Sequence, residues 1–242
     1  MVGIPTMGNV RVELEQRLED YAFCENPKVH VRRIGNVCDV AAARNELIFY
    51  HFDPMVYTHL CMIDADTEPP QGFLENMLTA DRPVVSAVEH FWKPRKARNV
   101  PEPLLALWKR RVQADGTDTY DRIDANPDAA IIEEPGIATG CFCMLIRAMV
   151  FVEMRETLGL PWFKTEYEEQ TQTKTRSEDI YFCRKLERLG IPVTVLPRLV
   201  CRHYKTVPLS EVEAYGRAMF EAGRQSARGG DPQGTAVAGN DH

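Results

Sequence analysis

Apolar runs alternate with amphipathic stretches along the first third of the chain. Runs at 2–6, 29–34, 57–63 and 83–88 predict strands, because each is short and either continuously apolar or alternating. Apolar residues at helical spacing predict a helix between successive strands, with Asn9 and Asp39 as N-caps of the first two and Phe73 near the start of the third. This order predicts an α/β fold with a mainly parallel central sheet flanked by helices, in a single domain.

The remainder of the chain carries a less regular pattern. A continuous apolar run predicts a buried strand at 141–146, and two short strands are predicted at 192–196 and 199–203. Helices are predicted over 104–112, 148–157, 177–189 and 210–224. The polar stretch 164–176 predicts a mobile loop. We therefore expect one domain over residues 1–225 and a disordered, glycine-rich tail over 226–242.

The composition is that of an ordinary globular protein, with 242 residues, 44% hydrophobic residues and a net charge of −6. The acidic balance argues against bulk nucleic-acid binding. One basic run is the exception, and it holds Lys93, Arg95, Lys96, Arg98, Lys109, Arg110 and Arg111. No apolar run approaches the roughly 18 residues of a membrane-spanning helix, and the N-terminus lacks a secretory signal pattern. We expect a cytoplasmic protein with no membrane partner.

Seven cysteines are present, an odd number with no CxxC spacing. Five of them lie in apolar stretches, namely Cys61, Cys141, Cys143, Cys183 and Cys201. Buried, reduced thiols in a reducing compartment are the simplest interpretation. A zinc site at Cys141 and Cys143 is the alternative, although it lacks the usual ligand spacing.

The sharpest chemical feature is the segment MIDADT, in which Asp64 and Asp66 follow an apolar strand. Alternate side chains of an extended backbone point to the same side, so these two carboxylates can converge at the edge of the sheet. Their mutual repulsion calls for a cation, and oxygen ligands suit Mg²⁺ or Mn²⁺, which in turn can bridge a diphosphate. The alternative is that both are loop acids, one of them a cap for the helix near Pro70.

Two further polar clusters end or begin predicted elements. Glu178 and Asp179 open a helix after Ser177, where acids also suit the helix dipole without any catalytic role. His203 ends the last predicted strand, and a neutral imidazole there would complete a metal site begun by Asp66. A structural histidine is the alternative.

Two other segments are candidates for ligand contact. Arg44 and Asn45, in DVAAARN, can reach phosphate or base groups from a helix near the sheet edge, or can lie on a solvated helix face. The turn GIATG, which ends at Gly140, permits close approach of a substrate.

Taken in order, these segments resemble glycosyltransferases of the GT-A fold, close in pattern to the large family 2 of inverting enzymes. The matching segments span about residues 2–205 and are VGIPT, the ARN of the second helix, MIDADT, ATGCFCMLIR, SEDIYFCRKLERLG and the strand that ends at His203. The resemblance implies a Rossmann-like GT-A domain, a nucleotide-sugar donor, Mn²⁺ or Mg²⁺ and an acceptor hydroxyl. A UDP-sugar is the favoured donor.

The resemblance also implies roles for individual residues. Asp179 matches the general base, with Glu178 beside the donor or acceptor sugar. Asp66 and His203 match metal ligands, and Asp64 would face the ribose or the metal. The residues implied in nucleotide-sugar binding are Pro5, Thr6, Asp39, Arg44, Asn45, Asp64, Ala65 and Gly140. Trp162 and Phe163 would form an apolar platform for an acceptor sugar.

Departures from the family pattern leave the acceptor open. The QxxRW motif of processive members is missing, and the first loop is short. Small forms of this kind resemble phage and bacterial enzymes, so a hydroxymethylated base in phage DNA is one candidate acceptor. The basic run at 93–111 would fit such an acceptor, and it equally fits a solvated face. The alternatives are a retaining GT-A enzyme acting on a small molecule or glycan, a nucleotidyltransferase, and a non-enzymatic binding module.

Overall fold

A computed structural model describes residues 1–6, 8–35, 39–94, 101–123 and 128–204, together with 213, 216, 217 and 220; at 91–94 and 101–104 it describes the backbone alone. The chain divides into two units. The first comprises Met1–Phe91 and Leu104–Tyr204, and the second comprises Trp92–Pro103 and Lys205–His242. Every side chain discussed below belongs to the first unit.

Five α-helices are described, and they are α1 (Val12–Glu19), α2 (Val40–Glu46), α3 (Phe73–Thr79), α4 (Ala148–Leu158) and α5 (Glu178–Arg188). A π-helical turn, Leu47–His51, continues α2. The strands are β1 (Val2–Pro5), β2 (Val31–Ile34), β3 (His59–Ile63), β4 (Thr67–Glu68), β5 (Val84–Pro94), β6 (Pro101–Leu105), β7 (Leu107–Val112), β8 (Asp118–Arg122), β9 (Ile137–Thr139), β10 (Cys143–Arg147), β11 (Glu166–Tyr167), β12 (Lys174–Arg176) and β13 (Thr194–His203).

The main sheet has the strand order β2-β1-β3-β10-β5-β13-β4, and β6 pairs with β5 off this path. Along the path, β2, β1, β3, β5 and β13 run in one direction, while β10 and β4 run in the other. The predicted α/β class with a mainly parallel central sheet, flanked by helices in a Rossmann-like arrangement, is therefore confirmed. The carboxyl ends of β1 and β3 lie side by side, so the residues that follow these strands meet at one edge of the sheet.

The sheet separates two apolar layers, and alternate residues of its central strands enter each layer. On β10, Met144 and Ile146 pack into one layer, whereas Cys143 and Leu145 pack into the other. This alternation follows from the two-residue period of a strand. Because both faces of the sheet are covered, the central strands are continuous apolar runs in the sequence, and this pattern predicted them.

Local signals predicted most element boundaries, but several elements differ from expectation. The polar stretch 164–176, expected to be a loop, contains the short paired strands β11 and β12. The helix expected over 104–112 is wrong, since β6 and β7 occupy this stretch. The residues of β7 pair with β8 and β9, and its Arg111 forms an ion pair with Asp121 across the strands, at 2.6 Å. Such long-range pairing overrides a short local pattern. The predicted N-cap Asn9 is also wrong, because α1 begins after Arg11.

Other predicted features agree with the structure or lie outside its described part. Asp39 caps α2 by accepting a hydrogen bond from the Ala41 amide, at 2.9 Å. The two strands expected near the end of the chain form one strand, β13, with an irregularity between Val195 and Val200. The tail 226–242 and most of the helix predicted at 210–224 lie outside the described residues.

The structure describes the five cysteines that were predicted to be buried thiols, and it also bears on the expectation that no helix spans a membrane. Cys61, Cys141, Cys143, Cys183 and Cys201 are buried free thiols. Burial raises the pKa of Cys183 to about 12, so this thiol stays protonated at neutral pH. In the described part of the chain, no helix has the length and apolar character needed to cross a membrane.

Gly3 of β1 provides a first prediction, on stability. A Cβ atom at this position would lie 2.1 Å from Leu47 Cδ2, inside the buried layer between β1 and the π-helical turn. Gly3→Ala should therefore destabilise the fold by about 1–3 kcal/mol through overpacking, measured by urea unfolding. Gly35→Ala is the matched control, because a Cβ there would meet no atom within 4 Å. Equal stability of the two variants would contradict the packing described here.

Candidate functional site

The loop after β3 holds Asp64, Ala65 and Asp66 at the carboxyl edge of the sheet. Backbone hydrogen bonds tie each of the three residues to a different element: the Asp64 amide donates to the Phe142 carbonyl at 2.9 Å, the Arg11 amide to Ala65 at 3.0 Å and the Tyr204 amide to Asp66 at 2.9 Å. The two carboxylates are therefore presented by a loop whose backbone is fixed by residues before α1, before β10 and after β13.

Arg44 joins three of the predicted site carboxylates. Its Nη1 donates to Glu178 Oε1 at 3.0 Å and to Asp179 Oδ1 at 2.5 Å, and its Nη2 donates to Asp64 Oδ1 at 2.8 Å. Its side chain is only 1% exposed. This buried guanidinium therefore links the loop after β3 to the first turn of α5, which is more than a hundred residues away in sequence.

The charge of Arg44 is maintained by these partners. Burial by itself would lower the pKa of this side chain, but Asp64, Asp179 and Glu178 raise the pKa well above its ordinary value. The face of Phe163 lies 5.5 Å from the guanidinium carbon. Arg44 is thus a permanent buried cation. In the structure its guanidinium binds protein carboxylates. The sequence suggested instead that it reaches phosphate or base groups.

One carboxylate oxygen of Asp179 is hydrogen-bonded to protein groups, and the other has no such bond within the described residues. Its Oδ1 accepts hydrogen bonds from Arg44 and from the Cys141 amide, the latter at 3.2 Å. Its Oδ2 has no hydrogen-bond partner among the residues that the structure describes. The residue stands in the first turn of α5, where Ser177 caps the helix and the helix dipole favours an anion. The carboxylate is therefore rigidly oriented and retains an oxygen that can accept a proton.

Asp66 and His203 meet at the other side of the loop, as expected. His203 Nε2 lies 3.1 Å from Asp66 Oδ2, and His203 Nδ1 lies 3.3 Å from Glu89 Oε1. Strand pairing brings these groups together, because His203 is opposite Thr67 at the start of β4. The imidazole therefore lies between two carboxylates, one from the loop and one from β5.

The set of three metal ligands expected at Asp64, Asp66 and His203 is not assembled. Within the described residues, no group of three or more histidine, cysteine, aspartate or glutamate side chains could hold a metal ion. The physical reason is that Asp64 turns an oxygen toward Arg44 Nη2, at 2.8 Å. Asp66 and His203 remain as an adjacent pair of potential metal ligands.

Asn45 is used by the protein itself. Its side-chain amide donates to the Ala41 and Phe163 carbonyls, at 2.8 and 2.7 Å. Its side-chain oxygen accepts from the amides of Trp162 and Phe163, each at 3.1 Å. These four bonds fill the hydrogen-bonding capacity of the side chain. Asn45 therefore anchors the segment after α4, and its side chain has no donor or acceptor left for a nucleotide.

Trp162 and Phe163 lie in the core, which conflicts with their predicted role as a sugar platform. Trp162 Nε1 donates to the Phe151 carbonyl at 3.0 Å, and the Phe163 ring stacks on Phe182 with centroids 4.4 Å apart. The two side chains are only 4% and 1% exposed. Their ring faces are covered by protein, and burying them stabilises the fold.

The remaining predicted donor-binding residues lie near the same edge. Pro5 ends β1 and Thr6 follows it, and both are buried. Thr6 Oγ1 accepts from the Gly8 amide at 3.1 Å, which shapes the first loop. Gly140 precedes Cys141 in the turn before β10. A Cβ atom at this position would lie 2.7 Å from the Phe142 ring, so a side chain there would clash with that ring.

Glu89 is a site residue that sequence reasoning missed. The signal was present, because Glu89 is the first ionisable residue after the apolar run at 83–88. The same pattern, a carboxylate directly after an apolar run, predicted the site at Asp64. It is buried and contacts His203, which would be costly unless the charge were compensated.

The described part of the basic run is neutralised by acids of the same chain. Lys109 pairs with Glu134, and Arg111 pairs with Asp121. Arg110 donates to Asp118 and Glu187, at 2.9 and 2.8 Å. These three cations are therefore already paired within the protein. The side chains of Lys93, Arg95, Lys96 and Arg98 lie outside the described residues.

Comparisons with known proteins give a likeness of fold. No protein-family model matches the chain, and no curated protein matches it. Among solved structures, it is similar to A197 from STIV, with 18% identity over 85% of both chains and a TM-score of 0.51. It is also similar to GalNAc-T7, solved with UDP, GalNAc and Mn²⁺, with 13% identity over 98% of this chain and 40% of that chain, and a TM-score of 0.46. The likeness to A197 shows that the two chains share a fold.

Proposed function

We propose that this chain is a metal-dependent glycosyltransferase. It would transfer a sugar from a nucleotide-sugar donor, with a UDP-sugar favoured, to an acceptor hydroxyl, and would invert the anomeric centre with Asp179 as the general base. The observation that carries the proposal is the meeting of Asp64, Asp66, Asp179 and His203 at one edge of the sheet, linked through Arg44 and through the loop after β3.

Asp66 and His203 fit a divalent cation that also binds phosphate. Their facing atoms are 3.1 Å apart. Adjacent ligands of an octahedral Mg²⁺, each at roughly 2.1 Å, are separated by about 3 Å. Mg²⁺ is commonly held by one or two protein ligands together with substrate phosphates, so a pair of ligands is sufficient for this chemistry. When bound, Mg²⁺ or Mn²⁺ supplies positive charge against a diphosphate leaving group.

Asp179 supports the second half of the proposed reaction. An acceptor hydroxyl has a pKa too high for attack without help, so a carboxylate must take its proton as the bond to the sugar forms. Oδ2 of Asp179 is available for this, while Arg44 and the Cys141 amide fix Oδ1. Proton transfer to the carboxylate is concerted with attack of the hydroxyl on the sugar carbon. Rigid orientation then supplies much of the rate.

The proposal is tested by Asp66→Ala, with donor binding as the readout. Thermal shift with UDP-, GDP- and dTDP-sugars, each with and without Mn²⁺, identifies the donor, and calorimetry measures its affinity. We expect Mn²⁺ to increase donor affinity in the unmodified protein and to have no such effect in Asp66→Ala, because one of the two proposed ligands is gone. Asp53→Ala, at an exposed turn, serves as the matched control. Unchanged Mn²⁺-dependent affinity in Asp66→Ala would remove Asp66 from the metal site.

A further inference from the structure

Tyr204, the residue directly after β13, joins three elements that surround the proposed metal ligands. Its backbone amide donates to the Asp66 carbonyl in the loop after β3, at 2.9 Å. Its hydroxyl donates to Glu68 Oε2 on β4, at 2.6 Å. Its ring faces Arg11, the N-cap residue of α1, whose guanidinium carbon lies 4.3 Å from the ring centroid. A single residue is therefore fixed to the loop, to β4 and to the start of α1.

The backbone ladder that aligns the two proposed ligands is short. β4 has only two residues, and His203 lies opposite Thr67 at its start. The bond from the Tyr204 amide to Asp66 extends this ladder by one residue, past the end of β13 and the start of β4. Terminal pairs of a ladder open more readily than central ones unless other contacts hold them. The side chain of Tyr204 lies where such contacts are needed.

Glu68 is a fixed acceptor for the Tyr204 hydroxyl. Its side chain is only 10% exposed, and Arg17 of α1 donates to its Oε1 at 3.1 Å. Arg202 lies 3.6 Å from its Oε2, the oxygen that Tyr204 binds. The two arginines compensate the charge of the carboxylate, so the hydroxyl donates to an ionised acceptor. Such charge-assisted bonds are roughly twice as strong as neutral ones.

Arg11 closes a ring of contacts around the loop. Its backbone amide donates to the Ala65 carbonyl at 3.0 Å, while the Tyr204 amide binds the next carbonyl of the loop, that of Asp66. The stacking of the Arg11 guanidinium on the Tyr204 ring then joins the two residues that hold the loop. Neither carbonyl can move away from its amide without disturbing this stack. The loop that carries Asp66 is therefore restrained at two successive peptide groups.

We propose that Tyr204 is a positioning residue for the metal site. It is bonded to the Asp66 backbone and it directly follows His203, so it fixes the placement of both proposed ligands. Metal ligands must be held close to one geometry, and loss of the groups that orient them weakens metal binding. The inference rests on the proposed function, since it concerns the ligand pair assigned there.

The test is the Mn²⁺ affinity of Tyr204→Phe, measured by calorimetry with Mn²⁺ alone. This substitution keeps the ring beside Arg11 and removes only the bond to Glu68. We expect affinity to fall by roughly tenfold, the lower end of the usual effect of removing a group that orients a metal ligand. Arg11→Met is a second variant, which removes the cation from the ring and keeps the backbone amide. Its affinity should fall by roughly twofold to fivefold, because exposed contacts of this kind are weaker.

Tyr21→Phe is the matched control. Tyr21 also donates to a glutamate, Glu75 Oε2, at 2.6 Å, but it lies just beyond the opposite end of α1. Thermal unfolding should show that both tyrosine variants are folded, while Tyr204→Phe alone of the two loses affinity for Mn²⁺. A purely structural role would lower stability without lowering affinity. Normal Mn²⁺ affinity in Tyr204→Phe, or an equal loss in Tyr21→Phe, would overturn the inference and leave the proposed function intact. Absence of Mn²⁺ binding in the unmodified protein would instead overturn the proposed metal site, and this inference with it.

Discussion

Asp179→Asn is expected to lower the rate of transfer by roughly two to four orders of magnitude, the usual contribution of a general base. The asparagine oxygen can still accept from Arg44 and the Cys141 amide, so the side chain keeps its orientation. Only the oxygen that would take the proton is replaced, by an NH₂ group that cannot take it. Donor affinity should be retained. The rate of nucleoside diphosphate release from the selected donor, and calorimetry of the donor, measure the two effects separately.

Glu178→Gln shows whether the effect belongs to Asp179 or to negative charge in general. Glu178 is also bound by Arg44, but its second oxygen lies 3.7 Å from Lys174 Nζ and its side chain is only 8% exposed. Both of its oxygens are engaged, so a much smaller loss of rate is expected. If Glu178→Gln lost as much activity as Asp179→Asn, or if Asp179→Asn turned over normally, the assignment of the base would be wrong.

The parts of the site that sequence predicted are those fixed by strand ends. Asp66 lies in the loop after β3 and His203 is the last residue of β13, and the ends of these two strands lie at the same edge of the sheet. A local pattern together with the rule for parallel sheets was therefore sufficient to bring them together. Ser177 as a cap and the acids after it predicted that Asp179 lies in the first turn of a helix, which the structure confirms.

The parts that sequence did not predict depend on which elements become neighbours. Arg44 stands five residues after Asp39, the cap of α2, and nothing local indicates that it contacts Asp179, 135 residues further along the chain. Asn45 was predicted to contact a ligand from a helix near the sheet edge, and the family resemblance implied a sugar platform at Trp162. Both residues instead hold the segment after α4. Such assignments need the fold, because the same residue types serve both purposes.

Arg44→Met is expected to destabilise the protein by about 3–5 kcal/mol, because it removes one partner of a buried ionic cluster and leaves the other charges in place. Asp64, Glu178 and Asp179 would lose the cation that lies within 3.0 Å of each of them and would repel one another. Methionine fills similar space, so lost packing accounts for little of the effect. For a chain of this length the midpoint of thermal unfolding should fall by roughly 6–20 °C, measured by calorimetry at neutral pH.

Arg33→Met is the control for the loss of stability expected in Arg44→Met. Arg33 also pairs with an acid, Glu15, at 2.9 Å, but both side chains are about half exposed, at 52% and 43%. Solvated pairs of this kind contribute roughly 0–1 kcal/mol, so little change in unfolding temperature is expected. Equal losses in the two variants would mean that Arg44 stabilises the fold no more than a surface arginine does. Raising the salt concentration separates the pairs further, because screening weakens the exposed pair and leaves the buried cluster nearly unchanged.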